Sequence, residues 1–176
     1  IFGNSSALTT SVSATSDGTY TITLTAWDYQ GNSGSDEFSL TWDQTFPSAP
    51  GTPSTSPDPT GSTSQTWNWS AATDNLSGIL GYWYRVPEAG ISSTSIGNVL
   101  TWPTSFSQGI YNFYVLAEDK VGNQGLESSG SVTVDTTAPT SAALSINSGA
   151  AYTNSTSGNL GISATDNLLE VTEMNI

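Results

Sequence analysis

The sequence has 176 residues, room for one large or two small domains, and carries a formal charge of −13 from fifteen acids against two bases, Arg85 and Lys120. Binding to a phosphate backbone needs clustered Lys and Arg, so nucleic acid and anionic membrane surfaces are excluded as partners. Only 35% of residues are hydrophobic, yet six Trp, seven Tyr and five Phe supply core units that a disordered chain of this polarity lacks, so the chain is expected to fold.

No apolar run is long enough for a membrane span and no leader segment is recognisable. The chain opens at Ile1 rather than at Met, which reads as a mature product or an excised piece. There is no Cys, hence no disulfide framework.

In chain order, the first patterned stretch is Asp17 to Asn32, reading DGTYTITLTAWDYQGN. Its alternation puts Tyr20, Ile22, Leu24 and Ala26 on one face of a strand and Thr21, Thr23 and Thr25 on the other. Asp28 to Asn32 then reads as a tight hairpin turn. The same block returns at Gln108 to Asn123, with Tyr20 matching Tyr111, Ala26 matching Ala117 and Asp28 matching Asp119. Two further blocks recur with nearly the same separation: Trp42–Pro47 with Val134–Pro139, and Ala72–Asn75 with Ala164–Asn167. A repeat of this length suits one small β-sandwich.

The repeat divides the chain into residues 1–46, the C-terminal half of a unit, residues 47–137, a complete unit, and residues 138–176, the N-terminal half of a further unit. Two readings stay open. The chain is a fragment of a longer array, or it is a polymer subunit in which residues 138–176 complete the open half of a neighbour. Within the complete unit, strands are expected near 50–55, 64–71, 79–87, 90–95, 98–103, 109–118 and 126–135, with Trp67 and Trp69 in the core. Pro47–Pro50 and Thr137–Pro139 read as stiff linkers. No stretch carries a capped apolar stripe of helical period.

A Tyr opening its strand after a Gly turn, as Tyr20 and Tyr111 do, resembles the tyrosine corner of immunoglobulin-like sandwiches. Together with Asp135-Thr-Thr-Ala-Pro139, these blocks resemble the bacterial immunoglobulin-like (Ig/fibronectin-III-like) tandem repeats of large extracellular surface proteins. The resemblance covers nearly the whole chain, departing from the family at Trp42–Pro47. It implies an all-β fold of tandem antiparallel sandwiches, one complete and two partial. It also implies an extracellular or cell-surface location.

Catalysis finds little material. Without His or Cys the common triads and histidine metal sites are unavailable. The neighbouring acids Asp36–Glu37 and Glu118–Asp119 point to opposite faces of a strand, so no enzyme activity is expected.

Two surfaces remain as candidates. Sandwich topology brings Asp43 of the linker, Asp74 and Asn75 of one loop, and Asp119 and Asn123 of another to one end, an oxygen-rich set suited to a candidate Ca2+ site. Asp135 and Asp166–Asn167 repeat part of that set one unit later. The second is an outward patch of Trp83, Arg85, Tyr114 and Leu116, for contact with a neighbouring subunit or for stacking on a sugar ring. The expected function is a non-catalytic structural segment, a stalk, adhesin spacer or filament subunit. Its expected partners are neighbouring repeats or copies of itself. The alternative is a carbohydrate-binding or adhesive module that takes polysaccharide.

Overall fold

Alternating β-branched, aromatic and polar residues become strands wherever one face finds a second layer to cover it. A computed structural model describes residues 9–175, and among them the regular structure is ten strands and one short 3-10 turn at Pro87–Ala89. The first eight residues of the expected N-terminal half lie outside the described residues.

The strands are β1 (Gly18–Trp27), β2 (Ser33–Trp42), β3 (Ser64–Asn68), β4 (Ile79–Val86), β5 (Ile91–Gly97), β6 (Thr101–Ser105), β7 (Gly109–Asp119), β8 (Ser128–Val134), β9 (Thr140–Ile146) and β10 (Leu160–Thr165). A four-stranded antiparallel sheet runs β5-β4-β7-β8 and faces a two-stranded sheet of β3 and β6. The fold class is therefore all-β, an antiparallel sandwich of immunoglobulin type.

The expected strand at 50–55 contracts to a single bridge between Ser54 and Asn68. The segment then crosses to the other sheet, where Thr60 bridges Val134 in parallel. Pro53, Pro57 and Pro59 lie in this stretch and lack the N–H a longer ladder would need, which confines it to the sheet edges. The strand expected at 98–103 begins instead at Thr101, after the turn that follows Gly97.

The core lies between the two sheets. Trp67 and Trp69 meet Tyr82, Val86, Phe113, Val115, Val132 and Val134 there. Trp67 stacks on Phe113, and Phe106 stacks on Tyr111. Offset ring stacks of this kind fill the ~10 Å gap between sheets with few atoms left uncovered.

The two flanking segments form simple hairpins, β1 with β2 and β9 with β10. The first is in continuous register from Gly18 opposite Trp42 to Trp27 opposite Ser33. The β1–β2 hairpin repeats the β7–β8 pattern of the sandwich, whereas β9–β10 forms a ladder where the sandwich has only the Ser54–Asn68 bridge, and neither hairpin faces a second sheet among the described residues. Leu24 is 70% exposed, whereas Val115, its counterpart in the repeat, is 0% exposed. The hydroxyl of the strand-opening Tyr reaches back four residues in both copies, to backbone in the first and to a side chain in the second. The Tyr20 hydroxyl donates to the Ser16 carbonyl at 2.7 Å, and the Tyr111 hydroxyl lies 3.0 Å from Ser107 Oγ.

Candidate functional site at the joint

Between β2 and the sandwich the chain passes through Asp43-Gln-Thr-Phe-Pro47, and the structure ties this segment from both sides. On the side of the preceding hairpin, Asp17 accepts the Gln44 backbone N–H at 3.0 Å on Oδ1 and the Thr45 hydroxyl at 2.6 Å on Oδ2. From the sandwich, the Ser77 backbone N–H donates to Asp43 Oδ2 at 2.9 Å. Asn123 Nδ2 reaches the carbonyls of Asp43 and Thr45 at 3.4 and 3.3 Å. Beyond Pro47, the Ser48 N–H donates to the Thr73 carbonyl, the Gly51 N–H to the Ser70 carbonyl, and Ser128 Oγ to the Pro50 carbonyl.

Three carboxylates converge at this joint. Asp43, Asp74 and Asp119 each offer an oxygen such that the three lie within 4.8 Å of one another. Asp43 is 8% exposed and Asp119 is 0% exposed, unusual for unpaired acids. The only ion pair among the described residues is Arg85–Glu127, so neither base is ion-paired with the triad, although Lys120 Nζ lies beside Gly78 of the Asp74 loop.

Local structure explains how each acid is placed. Asp119 closes the turn Asp119–Asn123. Its Oδ1 accepts the N–H groups of Val121 and Asn123, its Oδ2 accepts Asn123 Nδ2, and Gly122 supplies a φ of 95°. The same bonds recur at Asp28 with Gln30 and Asn32, where Gly31 has a φ of 86°. Hydrogen bonds from Asn32 hold the Asp28 carboxyl below its ordinary pKa. The turn is therefore a local device that both repeats use. Asp74 caps its loop by accepting the Leu76 and Gly78 N–H groups on Oδ2 alone, leaving Oδ1 buried with no hydrogen-bond partner. Asp43 Oδ1 accepts the Thr45 N–H, and hydrogen bonding from Ser77, whose backbone N–H donates to Oδ2, holds this carboxyl below the usual range.

Of the five residues expected to meet here, the structure brings the three acids together. Asn123 stands beside them as a donor, its amide nitrogen turned to Asp119 and the linker carbonyls. Asn75 is exposed on the rim. Asp17 and Ser77 were not among the expected residues, because nothing in a single Asp before a Gly turn, or a Ser in a loop, distinguishes them. One unit later, Asp135 caps the linker by accepting the Thr137 N–H, and Asp166 accepts those of Leu168 and Leu169, which lower its pKa. No third carboxylate joins that pair among the described residues.

The outward patch is assembled on β4 and β7, where Trp83 pairs with Leu116 and Arg85 with Tyr114. All four are half-buried. Arg85 lies over the Tyr114 ring, 3.8 Å from its centroid, and forms a two-point bridge to Glu127 at 2.7 and 2.6 Å. The Trp83 indole N–H donates to Glu118. A sugar stacking on Tyr114 would have to displace the guanidinium.

No helix among the described residues is long and apolar enough to cross a membrane, which leaves β-barrel spans unaddressed. No family model matches the chain, and no curated protein matches it. Among solved structures it is similar to the chicken CNTN1 FN1–FN3 domains, with a TM-score of 0.43 and 18% identity over 67% of this chain. The match takes in 43% of that structure, so the chain spans less than half of its length.

Proposed function

We propose that this chain is a non-catalytic structural segment of tandem immunoglobulin-like repeats, a stalk, adhesin spacer or filament subunit of an extracellular bacterial surface protein. Its task is to hold successive units at a fixed distance and angle. The observation that carries this reading is the linker at Asp43–Pro47, bonded on one side by Asp17 and on the other by Ser77 and Asn123. A flexible tether between independent domains has no use for such bonds, because each fixes backbone freedom at an entropic cost.

Two further features support it. The described residues hold no His, Cys or convergent nucleophile–base pair from which a hydrolytic site is built. The bare apolar faces of the flanking hairpins also suit completion by adjoining strands of their own repeats, within an array or across subunits. An alternative role in glycan binding through Trp83 and Tyr114 gains no specific observation, since Arg85 already covers the Tyr114 ring.

NMR relaxation on the full chain tests the reading. Residues 43–51 are expected to show order parameters near those of β7, about 0.85, and values below about 0.6 would refute a rigid joint.

A further inference from the structure

We infer that copies of this chain associate head to tail, the β9–β10 hairpin of one covering the apolar face of β1–β2 in the next. This pairing rests on the tandem-repeat part of the reading above, and what completes each half unit is a second copy of the chain.

Each hairpin leaves one apolar face bare. Along β1–β2, Tyr20 stands opposite Leu40 and Ile22 opposite Phe38, and Leu24 continues the same face, with Phe38 and Leu24 exposed. Along β9–β10, Leu160 stands opposite Ile146 and Ile162 opposite Leu144, all four exposed. Each face borders a groove of similar size. One of about 480 Å³ is lined by Val12, Tyr20, Ile22 and Leu40, the other of about 420 Å³ by Leu144, Ile162, Val171 and Met174. Contiguous apolar surface of this kind marks a place of contact.

The intact sandwich shows how the two faces fit. In the repeat, β1–β2 takes the place of β7–β8. Strand β10 runs into Ala164–Asn167 as β3 runs into Ala72–Asn75, so it takes the place of β3. Within the sandwich β3 covers β7, with Trp67 stacked on Phe113 at 4.7 Å. The hairpins are therefore unlike halves of one unit, and an unlike pair restores the two layers. Strands β9 and β10 carry no charged residue, so docking sets none of their side chains as a like charge against Asp36 and Glu37 of β2. By the same correspondence Asn32 would stand where Asn123 stands, within reach of the Asp135 and Thr137 carbonyls of the incoming copy.

The two halves leave the sandwich at opposite ends. Asn123 holds the Asp43 linker at the Asp119 end of β7, whereas β8 finishes at Val134, opposite Gly109 at the other end. Strand β7 has 11 residues and so is about 35 Å long, which places the sandwich between the two halves of one chain. Completion then falls to a neighbour. The contact joins two different surfaces, and such heterologous contacts build open filaments unless the rotation closes a ring.

Sedimentation of the full chain and of Ile22→Asp and Ile162→Asp tests the docking. The native chain is expected to be monomeric near about 1 µM and to grow with concentration, its average mass at least tripling by about 500 µM. Each variant alone is expected to stay monomeric, since each lacks one of the two faces. Mixed in equal amounts, the variants are expected to form dimers and nothing larger. Ile22→Asp still offers an intact β9–β10, and Ile162→Asp an intact β1–β2, so dimers form even where a substitution unravels its own hairpin. A native chain that stays monomeric or stops at the dimer overturns the inference. So does self-association that persists in Ile162→Asp, which would pair like hairpins, or a mixture that stays monomeric. The order parameters of residues 43–51 report on the spacer reading separately. A monomeric chain with a rigid linker leaves that reading standing, and a polymer with a mobile linker removes it while the docking stands.

Discussion

Trp67 of β3 and Phe113 of β7 lie face to face across the two sheets, ring centroids 4.7 Å apart and planes inclined by 15°. Both are wholly buried, and Phe113 also contacts Trp69 and Tyr84. Phe113→Ala would open a cavity at the point where four rings meet, with an expected loss of about 3–5 kcal/mol. Leu24→Ala removes a side chain of the same pattern from the uncovered β1 face and is expected to cost less than about 0.5 kcal/mol. Urea unfolding followed by Trp fluorescence reads both. A comparable loss in the two variants would mean that the flanking hairpin is covered in solution.

Gly130 of β8 is a point of close approach. A Cβ there would overlap the Pro53 carbonyl and touch the Trp67 ring. Backbone cannot swing aside as a flexible side chain does, so Gly130→Ala should displace the segment that bridges the two sheets. The expected cost is about 1–3 kcal/mol. Thermal melts measure it, and a melting temperature within a degree of the native value would contradict the packing described.

Much of this architecture was legible in the sequence because it depends on local pattern. Tyr111, Phe113, Val115 and Ala117 alternate strictly, and the strand they predict differs from β7 by one residue. Asp119-Lys-Val-Gly-Asn123 forms its turn from its own side chains, as does the copy at Asp28. At 50–55 the sequence suggests a strand, but its prolines weaken pairing and only Ser54 bridges Asn68. The convergence of Asp43, Asp74 and Asp119 follows from sandwich topology, which the repeat disclosed. Which oxygen of Asp74 is left bare, and that Asp17 grips the linker, depend on rotamers and loop paths, and neither leaves a trace in residue pattern.

Arg85 and Glu127 provide a pH-dependent contact on the outer sheet face. Hydrogen bonding from Arg85, aided by its charge, holds the Glu127 carboxyl below its ordinary value of 4.5. A carboxyl whose pKa falls on folding binds its proton more weakly in the folded chain. Its contribution is therefore complete above about pH 4.5 and is lost as the pH drops through the folded-state value. Both side chains are about a third exposed, 33% and 34%, so screening limits the contribution to under about 1 kcal/mol. Glu127→Gln is expected to be slightly less stable than the native chain at pH 7, with the difference shrinking as the pH falls below about 4.5. A difference that does not shrink with falling pH would place the effect in packing, not in charge.

Asn123 and Asn32 allow the turn and the joint to be separated. Each caps the Asp four residues before it, with side-chain contacts of 2.8 Å to Asp119 and 2.7 Å to Asp28. Asn123 alone also reaches the linker carbonyls of Asp43 and Thr45. Asn32→Ala removes an exposed contact and is expected to cost under about 1 kcal/mol, with no effect beyond its hairpin. Asn123→Ala strips a donor from a buried carboxylate and releases the linker, with an expected loss of about 1.5–3 kcal/mol. Hydrogen exchange should then quicken at Gln44 and Thr45, whose N–H groups are bonded to Asp17 and Asp43, while β7 keeps its protection relative to global stability. If exchange at Gln44 and Thr45 matches the native chain after allowance for global stability, Asn123 acts on the turn alone, and the rigidity of the joint falls to Asp17 and Ser77.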